Sequence, residues 1–430
     1  MRKQLALHVI GCILFSIPSS AQVDYTIAPK YKTSVTSLTD HPQVQSAFDH
    51  IVSLEEQTID DHITLNEVEA PPFMEDERAI LFMKMLKETG VTDVHIDEVG
   101  NVIGRITGTV GSKTVALDAH LDTVFPKGTD VKVKIKNDTL FAPGIGDDTR
   151  GLAMLLAITK TINDKSLRFR DDVLIIASVG EEGLGDLRGV KHLFRTDGPD
   201  INSWISIDGG DVGRVNTKGL GSYRYRVTFS GPGGHSWGAF GLVNPHHALG
   251  DAINRFVERA DQYTSAGPRT SYNIGVIGGG TSVNSIPYES KMEIDTRSID
   301  PARLDTLKQL LEVSVEEALD AQNARKRIGE DLAVAIDMIG NRPSGELSSD
   351  LPLIQRALAS TAAMGKRPQL TRGSTNSNVP ISLGIPAVTI GRGGVGAYAH
   401  SLDEWWLNKD GHKAIQLALL LLVSEAGLVE

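Results

Sequence analysis

Cysteine is almost absent from this 430-residue chain: Cys12 stands alone. That excludes an intramolecular disulfide and any cysteine-rich zinc module, so metal ligands must come from His, Asp and Glu. An excess of positive charge is also missing. Lys and Arg total 43 against 54 Asp and Glu, a formal net charge of −11. This is not the overall footprint of a nucleic-acid binder, and no nucleic-acid partner is expected. Beyond the N-terminus no apolar run is long enough to span a bilayer; Leu417 to Val423 belongs to an amphipathic helix, and no stable membrane anchor is expected. The rest is ordinary. A 40% hydrophobic and 23% charged composition is that of a globular protein. The length suits two or three domains and can bury a large core without cross-links.

Met1 to Ala21 reads as an export signal, residues 1–21. Arg2 and Lys3 open it, an apolar run reaches Ile17, and the small residues Ser19 and Ala21 precede a cut before Gln22. A competing reading is a lipidated Cys12 after Val9-Ile10-Gly11. It would leave a very short apolar core and strand Ile13 to Phe15 in the mature tail, so simple cleavage is expected. Either way the mature protein is expected in the periplasm or outside the cell.

A polar lead-in is followed by helical periodicity from Glu75 to Thr89, ending at Gly90. Apolar runs at Thr114–Ala119, Val173–Val179, Trp204–Ile207 and Ala387–Ile390, with an apolar helix over Gly151–Ile162, predict an α/β fold. Its mostly parallel sheet is covered by helices on both faces. The middle of the chain differs. Tyr223–Phe229 alternates with period two. A helix to about Arg259, strands near Tyr272–Ile277 and Lys291–Arg297, a helix from Pro301 and a strand near Leu332–Met338 follow. That β-α-β-β-α-β order predicts a ferredoxin-like α+β domain, residues 216–342. It is inserted into a catalytic domain made of residues 22–215 and 343–430.

Chemistry-bearing residues cluster just after the predicted parallel strands, where ligands gather in open α/β sheets. The first strand ends in His120-Leu121-Asp122, where Asp122 could orient the His120 ring. Asp147-Asp148 enters the apolar helix, and on its own also reads as an N-cap. Glu181-Glu182 follows the second strand between glycines; adjacent side chains diverge, so one carboxylate can hold a cation while the other faces a water. Asp208 ends the third strand, and His400 follows the last. Each is ambiguous alone. Together, two histidines and several acids on one edge are the pattern of a two-metal hydrolase.

In these motifs the chain resembles the dinuclear zinc exopeptidases and deacylases: carboxypeptidase G, tripeptide aminopeptidase, aminoacylase, acetylornithine deacetylase and succinyl-diaminopimelate desuccinylase. The resemblance runs through Asp97–Gly104, His120-Leu121-Asp122, Asp147-Asp148, Glu181-Glu182, Asp208-Gly209-Gly210, Gly279–Pro287 and His400–Glu404. It implies two divalent cations, zinc first, with cobalt or manganese compatible with such a site. One ion would sit on His120 and Asp208, the other on Glu182 and His400, with Asp147 bridging and Glu181 as general base. His235, in Gly233-Gly234-His235-Ser236, matches an oxyanion donor that the family contributes from a partner subunit. Asn284 and Arg297 match positions that hold the substrate. The implied substrates are small peptides or N-acyl amino acids, and the implied assembly is a homodimer formed through the inserted domain. Two departures bear on specificity. Thr149, followed by Arg150, stands where many relatives have a Lys two residues after the bridge; a frame slid by one would make Asp148 the bridge and Arg150 the Lys substitute, but Gly144-Ile145 and Gly151-x-Ala153 fit the family frame with Asp147. Asn376 replaces an Asp found in several relatives.

Three other readings compete. Gly234-His235-Ser236-Trp237-Gly238 fits a nucleophile elbow, which would make the protein a serine hydrolase using Ser236. However, Gly238, Gly241 and Pro245 interrupt the helix an elbow requires. Gly391-Arg392-Gly393-Gly394-Val395-Gly396 fits a dinucleotide fingerprint but lacks the helix and the later acid, and reads as a flexible, close-approach loop. A non-catalytic binding module would be expected to have lost ligands, and none of the five is missing.

Overall fold

The computed structural model describes residues 25–429; the export signal and Cys12 lie outside them. The lead-in is not an irregular stretch: three helices, Pro29–Thr39, Pro42–Ser53 and Glu55–Asn66, precede the expected one at Asp76–Glu88. Proline opens the first two, where its fixed φ and missing N–H cost nothing. Their polarity hides narrow apolar stripes: Val35, Val44, Ala47, Phe48, Ile51 and Leu65 are all buried in the main core.

The central sheet runs Asp93–Ile96, Val102–Ile106, Asp172–Ser178, Thr114–His120, Ser203–Ile207, Ala387–Ile390, Arg214–Gly219 and Gly345–Glu346, with Gln369–Gly373 also paired to Arg214–Gly219. Thr114–His120 is parallel to both neighbours, and Ala387–Ile390 is parallel to Ser203–Ile207. Period-two geometry explains the unbroken apolar runs. Val115, Leu117, Ala119, Val173, Ile175 and Ala177 enter one core with helices Thr149–Asp164 and Gly411–Ala426. The alternate residues Ala116, Leu174, Ile176 and Trp204 enter another on the opposite face. Both faces are dry, so strand order is locked and the carboxyl ends of the strands have fixed positions.

A second antiparallel sheet has the order Thr270–Gly279, Glu289–Ser298, Gly221–Ser230, Ala333–Arg342. With helices Pro245–Thr264 and Pro301–Asn323, this is the ferredoxin-like arrangement. Tyr225, Val227, Phe229, Met292 and Ile294 alternate inward against Phe256, Leu307 and Leu311. The last strand runs four residues past the expected Met338. Its extension is set by pairing, Gly340 with Arg224, Asn341 with Tyr223 and Arg342 with Ser222, and not by apolar alternation, so its side-chain pattern could not show it.

A small sheet joins Val395–Ala397, Trp405–Leu407, Thr139–Phe141 and Lys134–Lys136. It ties the segment before Asp147 to the hairpin that carries His400. Within the nearby glycine-rich loop, an added Cβ on Gly391 would meet the Asp211 carbonyl, and one on Gly394 the Trp406 ring. The close approach is real, and a strand follows where a dinucleotide site needs a helix. No helix among the described residues is long and apolar enough to cross a membrane.

Candidate metal centre

The sheet's carboxyl edge brings His120, Asp147, Glu181, Glu182, Asp208 and His400 together. His120 ends its strand, and Asp208 directly follows Ile207. Asp147 precedes the helix Thr149–Asp164, which Asp148 caps by accepting from the Gly151 N–H at 3.1 Å. Asp148 also accepts from the His120 N–H at 3.3 Å. The adjacent acids therefore divide their work, Asp148 toward backbone and Asp147 toward the imidazoles.

His120 Nε2 lies 3.2 Å from Asp147 Oδ1, and His400 Nε2 lies 3.3 Å from Asp147 Oδ2 and 2.9 Å from Glu182 Oε1. Donor atoms of His120, Asp147 and Asp208, and of Asp147, Glu182 and His400, each lie within 4.8 Å of one another. Asp147 is common to both sets. Each set offers one imidazole nitrogen and two carboxylate oxygens, which suits a divalent cation of intermediate hardness. His120, Glu181 and Glu182 also meet that separation, but Glu181 is engaged by Arg342, with Nη1 3.1 Å from Oε1.

Asp122 acts differently from the sequence expectation. The His120 Nδ1–H donates to the Asp122 backbone carbonyl at 2.9 Å, while the carboxylate stands 3.7 Å from that nitrogen. The carboxylate instead accepts from the N–H groups of Glu181 at 2.9 Å and Glu182 at 2.7 Å. It fixes the loop that carries Glu181 and Glu182, and its carbonyl leaves Nε2 of His120 facing the cluster.

Burial and crowding perturb Asp147, Glu181 and Asp208. Burial, reinforced by the Asp147 charge, pushes Asp208 up; burial also holds Glu181 well above the usual carboxylate range despite Arg342. Burial opposes ionisation of Asp147 as well, yet hydrogen bonds from His120 and His400 outweigh it and hold that carboxyl well below its ordinary value. Buried acids forced to share space this way are the electrostatic complement of bound cations.

A cavity of about 310 Å³ opens onto this cluster, lined by Val124, Arg224, Arg297, Arg342 and Ser374 beside the acids and His400. Arg297 is therefore at the site, its Nε donating to Asp295 at 2.8 Å. His235 and Asn284 are not among the lining residues. They adjoin each other on the inserted unit, where His235 pairs with Ser285 and the Ser236 N–H donates to the Asn284 carbonyl at 2.9 Å. A larger cavity, about 710 Å³, lies at the amino ends of the strands near Thr114, Asp172 and Asn202; none of the three-donor groups falls there.

Several site residues had no role assigned from the sequence, although Arg392 and Glu404 fall inside motifs quoted above. Arg342 arrives through strand extension, and Arg224 through its register beside it. Arg392 approaches Gly146 and Gly209 and helps hold Asp147 down. Glu404 accepts from the N–H groups of Gly144 and Gly146, both at 2.8 Å, shaping the Asp147 loop. Arg150 is no substitute for a site lysine: it is buried, 4.7 Å over the Trp406 ring. Thr149 is equally structural, its hydroxyl donating to Asn66 at 3.0 Å and to the Gly144 carbonyl at 2.9 Å. Asn376 lies beneath the site and donates to Asp118 at 2.7 Å.

The serine reading fails on geometry. The strand Gly234–His235 is two residues long, no helix starts before Pro245, and His400 is committed to Asp147 and Glu182.

The sequence profile of peptidase family M20/M25/M40 matches residues 116–424. The chain belongs to that family. As an M20 protein with two convergent donor sets sharing one aspartate, it is a metal-dependent amide-bond hydrolase. It is 24% identical over 321 residues to the uncharacterized protein YqjE of Bacillus subtilis, covering 72% of this chain and 80% of that one. The dipeptidase Dug1p of Saccharomyces cerevisiae superposes with a TM-score of 0.70 at 16% identity, over 89% of this chain and 99% of that one. YXEP of Bacillus subtilis, a dinuclear metal-binding M20 peptidase, gives 0.60 at 16% identity, over 87% and 99%. At these identities the likeness is one of fold.

Proposed function

We propose that this protein is an exported, dimeric exopeptidase acting on di- or tripeptides. The observation that carries the reading is Asp147, whose two carboxylate oxygens face His120 and His400 at the mouth of an arginine-lined cavity. In this reading His120 and Asp208 hold one divalent cation, Glu182 and His400 the other, and Asp147 both; zinc is the expected metal. When bound, the pair lowers the pKa of a water and polarises the scissile carbonyl.

The chain's own residues supply the rest. Glu181, held by Arg342 and by the Asp122-anchored loop, takes the water's proton and returns it to the leaving amine. Arg297 keeps a half-exposed guanidinium beside the cluster, suited to a substrate carboxylate. A cavity near 310 Å³ is at the small end for ligand sites and fits a short peptide.

His235 Nδ1 accepts from the N–H groups of Trp237 and Gly238, both at 3.2 Å. That leaves an Nε2–H free to donate to a developing oxyanion. Because His235 and Asn284 do not line their own chain's cavity, we assign them to the partner's site in a homodimer formed through the inserted unit. Export rests on the Met1 to Ala21 signal.

An N-acyl amino acid deacylase needs the same machinery and is the second reading. The test is a hydrolysis screen of dipeptides, tripeptides and N-acyl amino acids with the metal-free protein reloaded with zinc, cobalt or manganese. Peptide turnover that a chelator abolishes and metal restores is expected. Preferential cleavage of N-acyl amino acids would select the deacylase. No amide hydrolysis with any metal would sink both.

A further inference from the structure

We infer that Arg342 is a positioning residue for Glu181, a fixed strut that aims the base's carboxylate; this rests on the reading of Glu181 as base. The guanidinium grips Glu181 twice. Nη1 lies 3.1 Å from Oε1, and Nη2 donates to the Glu181 backbone carbonyl. Nη1 also donates to Ser374 Oγ at 3.1 Å. Both partners are nearly buried, with side-chain exposures of 6% for Arg342 and 5% for Glu181, so the pair is little screened by solvent.

The root of the strut is anchored. The chain crosses between the two sheets at Leu220 and again at Pro343, the residue after Arg342. One side-chain amide pins both crossings: Asn378 Nδ2 donates to the Leu220 carbonyl at 3.0 Å and to the Pro343 carbonyl at 2.9 Å. Asn378 is itself buried, and its Oδ1 accepts from the Thr375 N–H at 3.1 Å.

The loop that Arg342 holds has further ties to the same sheet. The Asn341 N–H donates to Asp186 at 2.8 Å, and Arg224 Nη1 donates to the Gly183 carbonyl. On the other side Asp122 holds the Glu181 and Glu182 amides. Asp122 thus fixes the base's backbone, whereas Arg342 alone grips its carboxylate among the hydrogen bonds of the described residues. A carboxylate with free rotamers would spend much of its time turned from the reacting water, and misplacement of a catalytic group by about 1 Å can cost about 100-fold.

Arg342→Ala and Arg342→Lys test this. Steady-state kinetics, metal content and thermal unfolding are measured on the reloaded enzyme, and hydrogen exchange over residues 179–187 on the metal-free protein. For Arg342→Ala we expect kcat to fall about 100-fold or more with KM little changed. Two ions per chain should remain, amides of that loop should exchange faster, and methylguanidinium should recover part of the rate. Arg342→Lys should fall between. A KM rise with kcat intact would make Arg342 a substrate contact and overturn the inference, as would unchanged kcat and exchange. A wild type inactive on every amide would count against the peptidase reading instead; the exchange measurement would still decide whether Arg342 holds the Glu181 loop.

Discussion

Asp147 faces two histidines with two different oxygens, Oδ1 3.2 Å from His120 Nε2 and Oδ2 3.3 Å from His400 Nε2. A carboxylate so placed belongs to both donor sets, whereas His400 belongs to only one. The two substitutions should therefore differ in stoichiometry. Asp147→Ala should weaken both ions and reduce turnover by roughly 1,000-fold or more. His400→Ala should lose one ion and keep the other. Elemental analysis after dialysis against limiting zinc reads the difference directly, and equal loss in both variants would remove Asp147 from the bridging position.

Without metal, hydrogen bonds that His400 donates to Asp147 and Glu182 raise its pKa to about 10. Burial opposes the charged form of His120, but Asp147 and surrounding acids hold that ring well above the usual imidazole range too. At neutral pH both rings then carry protons that a cation must displace. Metal binding should release protons at pH 7, and apparent affinity should rise as pH climbs toward 10. The sign for stability is opposite. A raised histidine stabilises the metal-free fold fully below its unfolded value, about 6.5, and that contribution is lost as pH rises through about 10. Calorimetry in buffers of different ionisation enthalpy measures the release; a buffer-independent heat would contradict it.

The parallel strands and their acidic ends were legible because both sheet faces are dry. Unbroken apolar runs then stop abruptly at the polar edge, as at His120, Glu181 and Asp208. The second sheet was legible by alternation, which Tyr225, Val227 and Phe229 keep strictly. What escaped was whatever depends on register. Arg342 reaches Glu181 only because its strand continues pairing after its apolar pattern ends. Glu404 reaches Gly144 and Gly146 only because a small sheet folds the His400 hairpin beside Thr139–Phe141. The first three helices escaped for another reason: their apolar stripes are narrow, the first two open on proline, and the third opens after Leu54 without a side-chain cap.

Arg150 shows how position in sequence misleads about position in space. Three residues after the shared aspartate, it points away from the metal cluster, stacks over Trp406 and donates to the Gly411 carbonyl at 3.1 Å. Arg150→Ala should behave as a core deletion, destabilising by roughly 2–4 kcal/mol, because it removes a packed side chain and orphans a buried carbonyl. The folded fraction should keep its metal content and KM. Chemical unfolding together with kinetics separates the outcomes, and a variant of normal stability but altered substrate preference would restore Arg150 to the site.

His235 and Glu181 lie on different elements, and only Glu181 lines the cavity of its own chain. If each site borrows His235 from the other subunit, neither residue need be intact in the same chain. Glu181→Ala should retain metal and lose turnover by orders of magnitude, and His235→Ala should fold normally with turnover reduced about 100-fold. Refolding or coexpressing the two variants together should then produce mixed dimers in which one of the two sites has both residues. Activity in the mixture should rise well above that of either variant alone. If His235 served its own chain, the mixed dimer would instead contain one site without a base and one without the histidine, and mixing would recover nothing. A monomer by sedimentation would remove the trans arrangement altogether.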